Sequence, residues 1–130
     1  MVRELKFRYL MSTINGTKFW NYFSVGQVMH FSGDVETLGQ YTGAKDEAGM
    51  EVYEDDIVSC HETEMEDGHI IQEYDVHSVV FWSEDTYQWM TRDLYSGDEW
   101  ELWDSNWTNV IGNIWDNKEL LPENREKTNE

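Results

Sequence analysis

The sequence predicts a mainly antiparallel β fold, a small barrel or sheet, and three observations predict it. Apolar residues recur at alternate positions, the period that turns one face of a strand inward. Turn dipeptides punctuate these runs at short intervals. One proline and nine scattered glycines leave no stretch that reads as a linker. With 130 residues the chain fits one domain or two small lobes, and a domain of that size buries roughly two thirds of its unfolded surface. Seven Trp, seven Tyr and five Phe supply the apolar mass that separates a folded, highly charged chain from a disordered one.

The elements follow in order. Leu5, Phe7 and Tyr9 alternate with Lys6 and Arg8, the pattern of a half-buried strand. Asn15-Gly16 is a turn dipeptide, and Lys18 to Phe23 return as a second strand. Gln27 to Phe31 read as a third strand, and Asp34 to Gly39 fit either a short helix or a loop. Turn chemistry from Gly43 to Gly49 separates a hairpin-containing N-terminal subdomain, residues 1–40, from the rest. Glu51 to Cys60, Ile70 to Trp82 and Tyr87 to Leu94 are rich in β-branched and aromatic residues, with turns at Glu66-Asp67-Gly68 and Ser83-Glu84-Asp85. Trp100, Trp103 and Trp107 sit at helical offsets and predict a helical turn, and Val110 to Trp115 close as a strand. Residues 41–121 thus form an acidic, aromatic-rich, barrel-like subdomain, and residues 122–130 a polar, frayed tail.

Charge is concentrated. Of 27 acidic residues, 19 lie between Tyr41 and Ser105, where only Lys45 and Arg92 oppose them, a net of −17 against −18 for the whole chain. Such a field argues against binding DNA or RNA, because affinity there comes mainly from Lys and Arg neutralising phosphates. It also argues against contact with anionic membranes, and no run approaches the roughly 20 apolar residues of a membrane span. It suits a protein that meets a basic surface. The single Cys60 excludes an internal disulfide, and no N-terminal run resembles a signal peptide, so the expected location is the cytoplasm.

Three segments carry a resemblance. Tyr41-Thr42-Gly43-Ala44-Lys45-Asp46-Glu47-Ala48-Gly49-Met50-Glu51-Val52-Tyr53-Glu54-Asp55-Asp56-Ile57-Val58 looks like the signature of the YopX-like proteins. Val110 to Leu121 resembles that family's closing motif, and Arg3 to Arg8 its opening. The resemblance implies a protein of phages and prophages in Gram-positive bacteria. It also implies an α+β, mainly antiparallel β fold: a small barrel-like (SH3-like) core with a smaller N-terminal part, and a possible homo-oligomer. It transfers no catalytic residue. Two departures stand out: Asp55 occupies a position where the family usually has Gly, so a reshaped turn is expected, and the region from Cys60 to Gln72 looks longer and more acidic.

The candidate chemistry is acidic. Glu62, Glu64 and Glu66 alternate beside Asp67, and on a strand they share a face at about 6.6 Å spacing, from roughly 3.3 Å per residue. That spacing approximates the pitch of phosphates, so the row could enter a groove built for nucleic acid. A charged edge strand that guards against aggregation would carry the same row. Glu54-Asp55-Asp56 lack the alternating oxygens and glycine of a calcium loop and read as a turn entering a strand. Cys60, His61, His69 and His77 match no zinc spacing, and adjacent strand residues diverge, which separates Cys60 from His61 as a catalytic pair. Trp82, Tyr87, Trp89, Tyr95, Trp100, Trp103 and Trp107 are expected mostly in the core, a minority serving an interface. No catalytic residue, metal or cofactor is expected.

These readings combine into a phage-encoded, non-enzymatic inhibitor, similar in principle to anti-CRISPR and anti-restriction DNA mimics. Glu62, Glu64, Glu66, Asp67, Glu84, Asp85, Asp98, Glu99, Glu101 and Asp104 would pair with the basic surface of a nucleic-acid-binding host protein. The alternative is an oligomeric structural or regulatory phage accessory protein whose acidity serves solubility. In either case the acids repel one another, so the melting temperature should rise from low to moderate NaCl; a scan with no rise would remove self-repulsion as a determinant of stability.

Overall fold

The computed structural model describes residues 5–24, 35–102 and 108–125. Within them, nine strands form two antiparallel sheets and the helical content is limited to single turns. The first sheet has the order β2-β1-β3-β4, with β1 at Lys6–Ser12, β2 at Lys18–Ser24, β3 at Gly39–Lys45 and β4 at Glu51–Tyr53. The second has the order β8-β7-β6-β5-β9 and curls into a half-barrel. Its strands are β5 at Asp56–Glu66, β6 at His69–Ser83, β7 at Gln88–Asp93, β8 at Glu99–Glu101 and β9 at Thr108–Asn113. The fold is therefore mainly antiparallel β, with a barrel-like part and a smaller N-terminal sheet.

In the first sheet, Gly16 supplies the positive φ of 86° that the β1–β2 turn needs, and Thr13 N–H donates to the Thr17 carbonyl at 2.8 Å. Phe7 stacks on Phe23 across the hairpin at 5.3 Å. A half-buried strand is found, but its inward set differs from the simple alternation: Arg8, Tyr9 and Leu10 are buried while Leu5 is exposed. The physical reason is that Arg8 has an ionic partner inside. The segment between helix and loop is a 3₁₀ turn at Val35–Thr37, and the strand expected at Gln27 to Phe31 lies outside the described residues. The expected boundary at Tyr41 falls within β3, and the chain changes sheet at Glu54–Asp55.

The β3–β4 turn is organised by Asp46. One carboxylate oxygen accepts from Ala48 N–H at 2.9 Å and Met50 N–H at 2.8 Å. The other accepts from Val110 N–H at 2.9 Å, in β9 of the second sheet. Glu47 N–H donates to the Thr108 carbonyl at 2.9 Å, so the turn is fastened to that sheet twice. The half-barrel's core is Val52, Val58 and Val80, almost without solvent contact, with Cys60, Trp89, Leu102 and Val110 packed around it. Each such fully buried aliphatic side chain contributes about 1.5–3 kcal/mol relative to exposure.

The crossover between sheets is pinned from both sides. Asp55 N–H donates to the Val80 carbonyl and its own carbonyl accepts from Ile114 N–H, at 2.9 and 3.1 Å. Asp55 has φ 72°, the left-handed conformation that glycine adopts most readily, and the aspartate tolerates it at a cost of about 1 kcal/mol. Burial pushes its carboxyl above the usual range, opposed by Trp115 and Arg8. The Trp115 indole N–H has no acceptor in hydrogen-bonding geometry, so its help is that of a nearby dipole.

Two further expectations change. Trp100 and Glu101 lie in β8, a strand and not a helical turn; the rest of that segment, Trp103 to Trp107, lies outside the described residues. The aromatic half is less buried than expected: Trp82, Tyr87, Tyr95 and Trp100 are exposed, and Trp89 alone of the five described is half-buried. Tyr87 and Tyr95 lie in the turns at the two ends of β7, Trp82 next to the end of β6 and Trp100 in the short β8.

Arg8 Nη2 donates to Asp56 Oδ1 at 2.7 Å, and both side chains are almost wholly buried. Burial raises the Asp56 carboxyl's pKa, against the pull of Arg8 and of the Tyr53 N–H that donates to Oδ2 at 2.7 Å. Asp56→Ala should therefore cost about 3–5 kcal/mol in urea unfolding, since it leaves a buried guanidinium without its counterion. A loss below about 1 kcal/mol would show that water reaches Arg8 and that the pair is not structural.

Candidate functional site

Beyond the core, β5 and β6 leave the sheet together. β9 pairs with β5 only from Asp56 to Cys60, and β7 pairs with β6 only from Ser78 to Ser83. Among the described residues, 61–66 of β5 and 69–75 of β6 pair with one another alone. The six residues after Cys60 carry this two-stranded arm about 20 Å outward at roughly 3.3 Å per residue. Every residue from His61 to Asp75 is exposed. The turn at its tip has Asp67 at φ 51° and Gly68 at φ 80°, the paired positive values that match a hairpin's right-handed twist.

Strand alternation sorts the arm's side chains. Glu62, Glu64 and Glu66 share one face with their cross-strand neighbours Tyr74, Gln72 and His69. This face continues the interior face of the half-barrel, since Val58 and Cys60 precede Glu62 at the same parity. The other face holds His61, Thr63 and Met65 opposite Asp75, Glu73 and Ile70. A bulge between Glu64 and Met65 adds Ile71 to the returning strand. Met65, Ile70, Ile71 and Tyr74 are each about half exposed, with relative accessibilities of 45–56 %.

His61 is clamped. Its Nδ1 lies 3.1 Å from Asp75 Oδ1 and its Nε2 3.4 Å from Glu73 Oε1. The bonds to Asp75, then to Glu73, raise its pKa above the ordinary value of 6.5. Cys60, at the arm's root, is a half-buried thiol 3.5 Å from the Thr108 hydroxyl; burial pushes its pKa up, which disfavours the reactive thiolate.

The ten acids singled out in the sequence do not all meet. Glu62, Glu64 and Glu66 form the expected row, with Asp67 at its tip. Glu84 and Asp85 lie in the turn at the opposite end of the 15-residue β6. Asp98 and Glu99 flank the β7–β8 turn, and Glu99 is ion-paired with Arg92 at 2.8 Å. Glu101 Oε1 accepts from Gln88 Nε2 at 3.5 Å, and Asp104 lies outside the described residues. Sequence reasoning missed Tyr74, which the hairpin register alone places beside the row, and Glu73 and Asp75, which it places on the opposite face around His61.

A second concavity, a cleft of about 420 Å³, opens between the sheets. Its polar groups are engaged with one another. Arg8 holds Asp56, its guanidinium lying 4.5 Å from the Trp20 ring centroid and 4.9 Å from that of Tyr53. Trp20 Nε1 donates to Asp116 Oδ2 at 2.8 Å, and Asn113 Nδ2 donates to the same oxygen at 3.1 Å. Tyr53 OH donates to Glu51 at 3.2 Å. Asn113 also accepts from Trp115 and Asp116 N–H, and a Cβ on Gly112 would collide with the Asn117 side chain. The cleft is thus a structural joint.

Arg8, the stretch from Met50 to Asp56, and the stretch from Val110 to Asp116 all converge on this joint. They come from the three segments whose resemblance was noted in the sequence. A family model described as YopX protein matches residues 4–122. The chain belongs to the YopX family. No curated protein matches it. The crystal structure of protein EF1440 from Enterococcus faecalis is similar at 19 % identity and a TM-score of 0.46, covering 88 % of this chain and 74 % of that one.

His61 makes the arm of this YopX protein pH-sensitive. Because its folded pKa is raised, the contribution of the clamp is fully present below about pH 6.5 and is lost as pH rises through the higher folded value. An NMR titration should place the His61 midpoint above 6.5, and the Glu73→Gln/Asp75→Asn double variant should return it. A parent midpoint at or below 6.5 would show that the clamp does not form in solution.

Proposed function

We propose that this YopX-family protein is a phage-encoded, non-enzymatic inhibitor that places its acidic arm in the positively charged groove of a host nucleic-acid-handling protein, such as a CRISPR nuclease or a restriction enzyme. The observation that carries the reading is the row Glu62, Glu64 and Glu66, exposed on one face of an arm that no other strand among the described residues covers. A row of carboxylates presented on a narrow ribbon can enter a cleft that a flat acidic surface cannot. Among the described residues, Lys45 and Arg92 are the only Lys and Arg side chains between Tyr41 and Leu102, so little within that stretch neutralises the row. Complementary charge chiefly accelerates encounter and sets specificity, and exposed Tyr74 beside the row supplies the aromatic contact that interface hot spots favour.

The runner-up, an oligomeric accessory protein, draws on one feature. Among the described residues, both backbone edges of the arm from His61 to Asp75 are unpaired by other strands, and Met65 and Ile70 are exposed on the face opposite the row. Such edges can add strands from a second copy.

Immobilised protein, challenged with lysate of a host carrying defence systems, should retain a nucleic-acid-binding protein that duplex DNA displaces. The folded Glu62→Gln/Glu64→Gln/Glu66→Gln variant should retain at least tenfold less. Undiminished capture by the variant, or a captured protein indifferent to DNA, would overturn the mimic; a stable oligomer by light scattering would favour the runner-up.

A further inference from the structure

At the arm's root a cavity of about 270 Å³ enters the interior face of the half-barrel. All five strands of the curled sheet contribute. The polar lining consists of the Ser78, Thr91 and Thr108 hydroxyls, from residues only 1 %, 5 % and 7 % exposed. Val76 and Leu102 supply apolar wall, and Trp100, about half exposed, stands at the mouth. Drug-sized ligands occupy pockets of about 300–1,000 Å³, so this cavity is small for a nucleotide and suited to one side chain.

Among the described residues, its charge is set by a single group. Glu62 shares the interior parity with Cys60 and faces the cavity. His61 and Glu101 also border it, but alternation turns their side chains to the outer face, where they meet Asp75 with Glu73, and Gln88. Among the described residues, no Lys or Arg lines the cavity. A visiting side chain therefore meets an indole, hydroxyl acceptors and one uncompensated carboxylate.

We propose that this cavity receives one arginine side chain of the basic partner, a specification that rests on the reading of the arm as a partner-binding surface. An aliphatic stem fits against Val76 and Leu102. A planar guanidinium stacks on Trp100 and donates to Glu62 and the hydroxyls, a geometry that Lys, a compact point charge, does not match. The row of the arm then steers the partner, and the cavity fixes its register.

Nα-acetyl-arginine methylamide is the probe, titrated into the full chain with amide shifts read by NMR. Saturable shifts at Cys60, Ser78, Thr91 and Thr108 are expected. The neutral citrulline analogue, of nearly the same shape, should bind at least tenfold more weakly, and the lysine analogue also more weakly. Glu62→Gln should weaken the arginine compound at least threefold, and Thr108→Val, which removes a hydroxyl at constant volume, should weaken it too. Absence of saturable shifts, or equal binding of the citrulline or a valine analogue, would overturn the proposal. Partner capture separates the two readings: loss with the triple Gln variant but not with Thr108→Val sinks the cavity and spares the arm, whereas capture unchanged in both sinks both.

Discussion

Arg8 and Asp56 belong to different sheets and lie 48 residues apart, yet their side chains meet at 2.7 Å with almost no solvent contact. Around this contact the chain solves the problem of joining two small sheets that share little area. Desolvating both charges is costly, and the geometry offsets it with partners on several sides. Asp56 accepts from Arg8 and from Tyr53 N–H, while Trp20 and Tyr53 flank the guanidinium within cation–π distance. The Arg8 Nε–H remains without an acceptor, so the arrangement is specific without being fully satisfied. A hydrophobic pair of similar volume could match its stability but would not fix which strand crosses where.

That fixation is what frees the arm. Asp46 bonds turn and β9 together, Asp55 bonds the crossover to β6, and the valine core sits beneath. None of these contacts involves a residue between His61 and Asp75. The fold is therefore complete without the arm's outer part, and the arm's side chains are released from packing demands. The same independence means that the carboxylates of Glu62, Glu64 and Glu66 contribute little to folding and mainly add repulsion. A long ribbon with no core of its own is marginal in water, and its cross-strand pairs and the His61 clamp are what hold it.

Much of this was legible in the sequence, and the exceptions have a common cause. The period-two runs and the Asn15-Gly16 and Asp67-Gly68 turns disclosed the hairpins, because those signals are local. Arg8 could not be read as buried from its own neighbourhood: alternation puts it outward beside Leu5 and Phe7, and only a partner in the other sheet draws it in. Asp46 likewise looks like an ordinary turn residue until Val110 is brought to it. Trp100 was misread because offsets of three and four also occur by chance in a tryptophan-rich stretch, whereas Trp100 pairs with Thr91 across the β7–β8 turn. At the candidate site the row Glu62, Glu64 and Glu66 was visible as a pattern. Its proximity to Tyr74, and its separation from Glu84 and Asp85, depended on the register and length of β6.

The arm's composition bears on what its acids are for. Charged side chains on an exposed edge suppress strand addition, and for that purpose polar residues on both faces serve best. Here Met65 and Ile70 stand on one face and Tyr74 on the other, all substantially exposed. Exposing these apolar groups works against protection, since it raises the gain from sticking. It is coherent for a contact surface, where an aromatic or aliphatic centre is desolvated and a charged surround sets orientation. The row also runs without interruption from Glu66 at the tip to Glu62 at the cavity. On the proposed reading, a row laid out this way would draw a positive partner along the ribbon and toward the half-barrel, whereas charge placed only for solubility has no reason to lead inward.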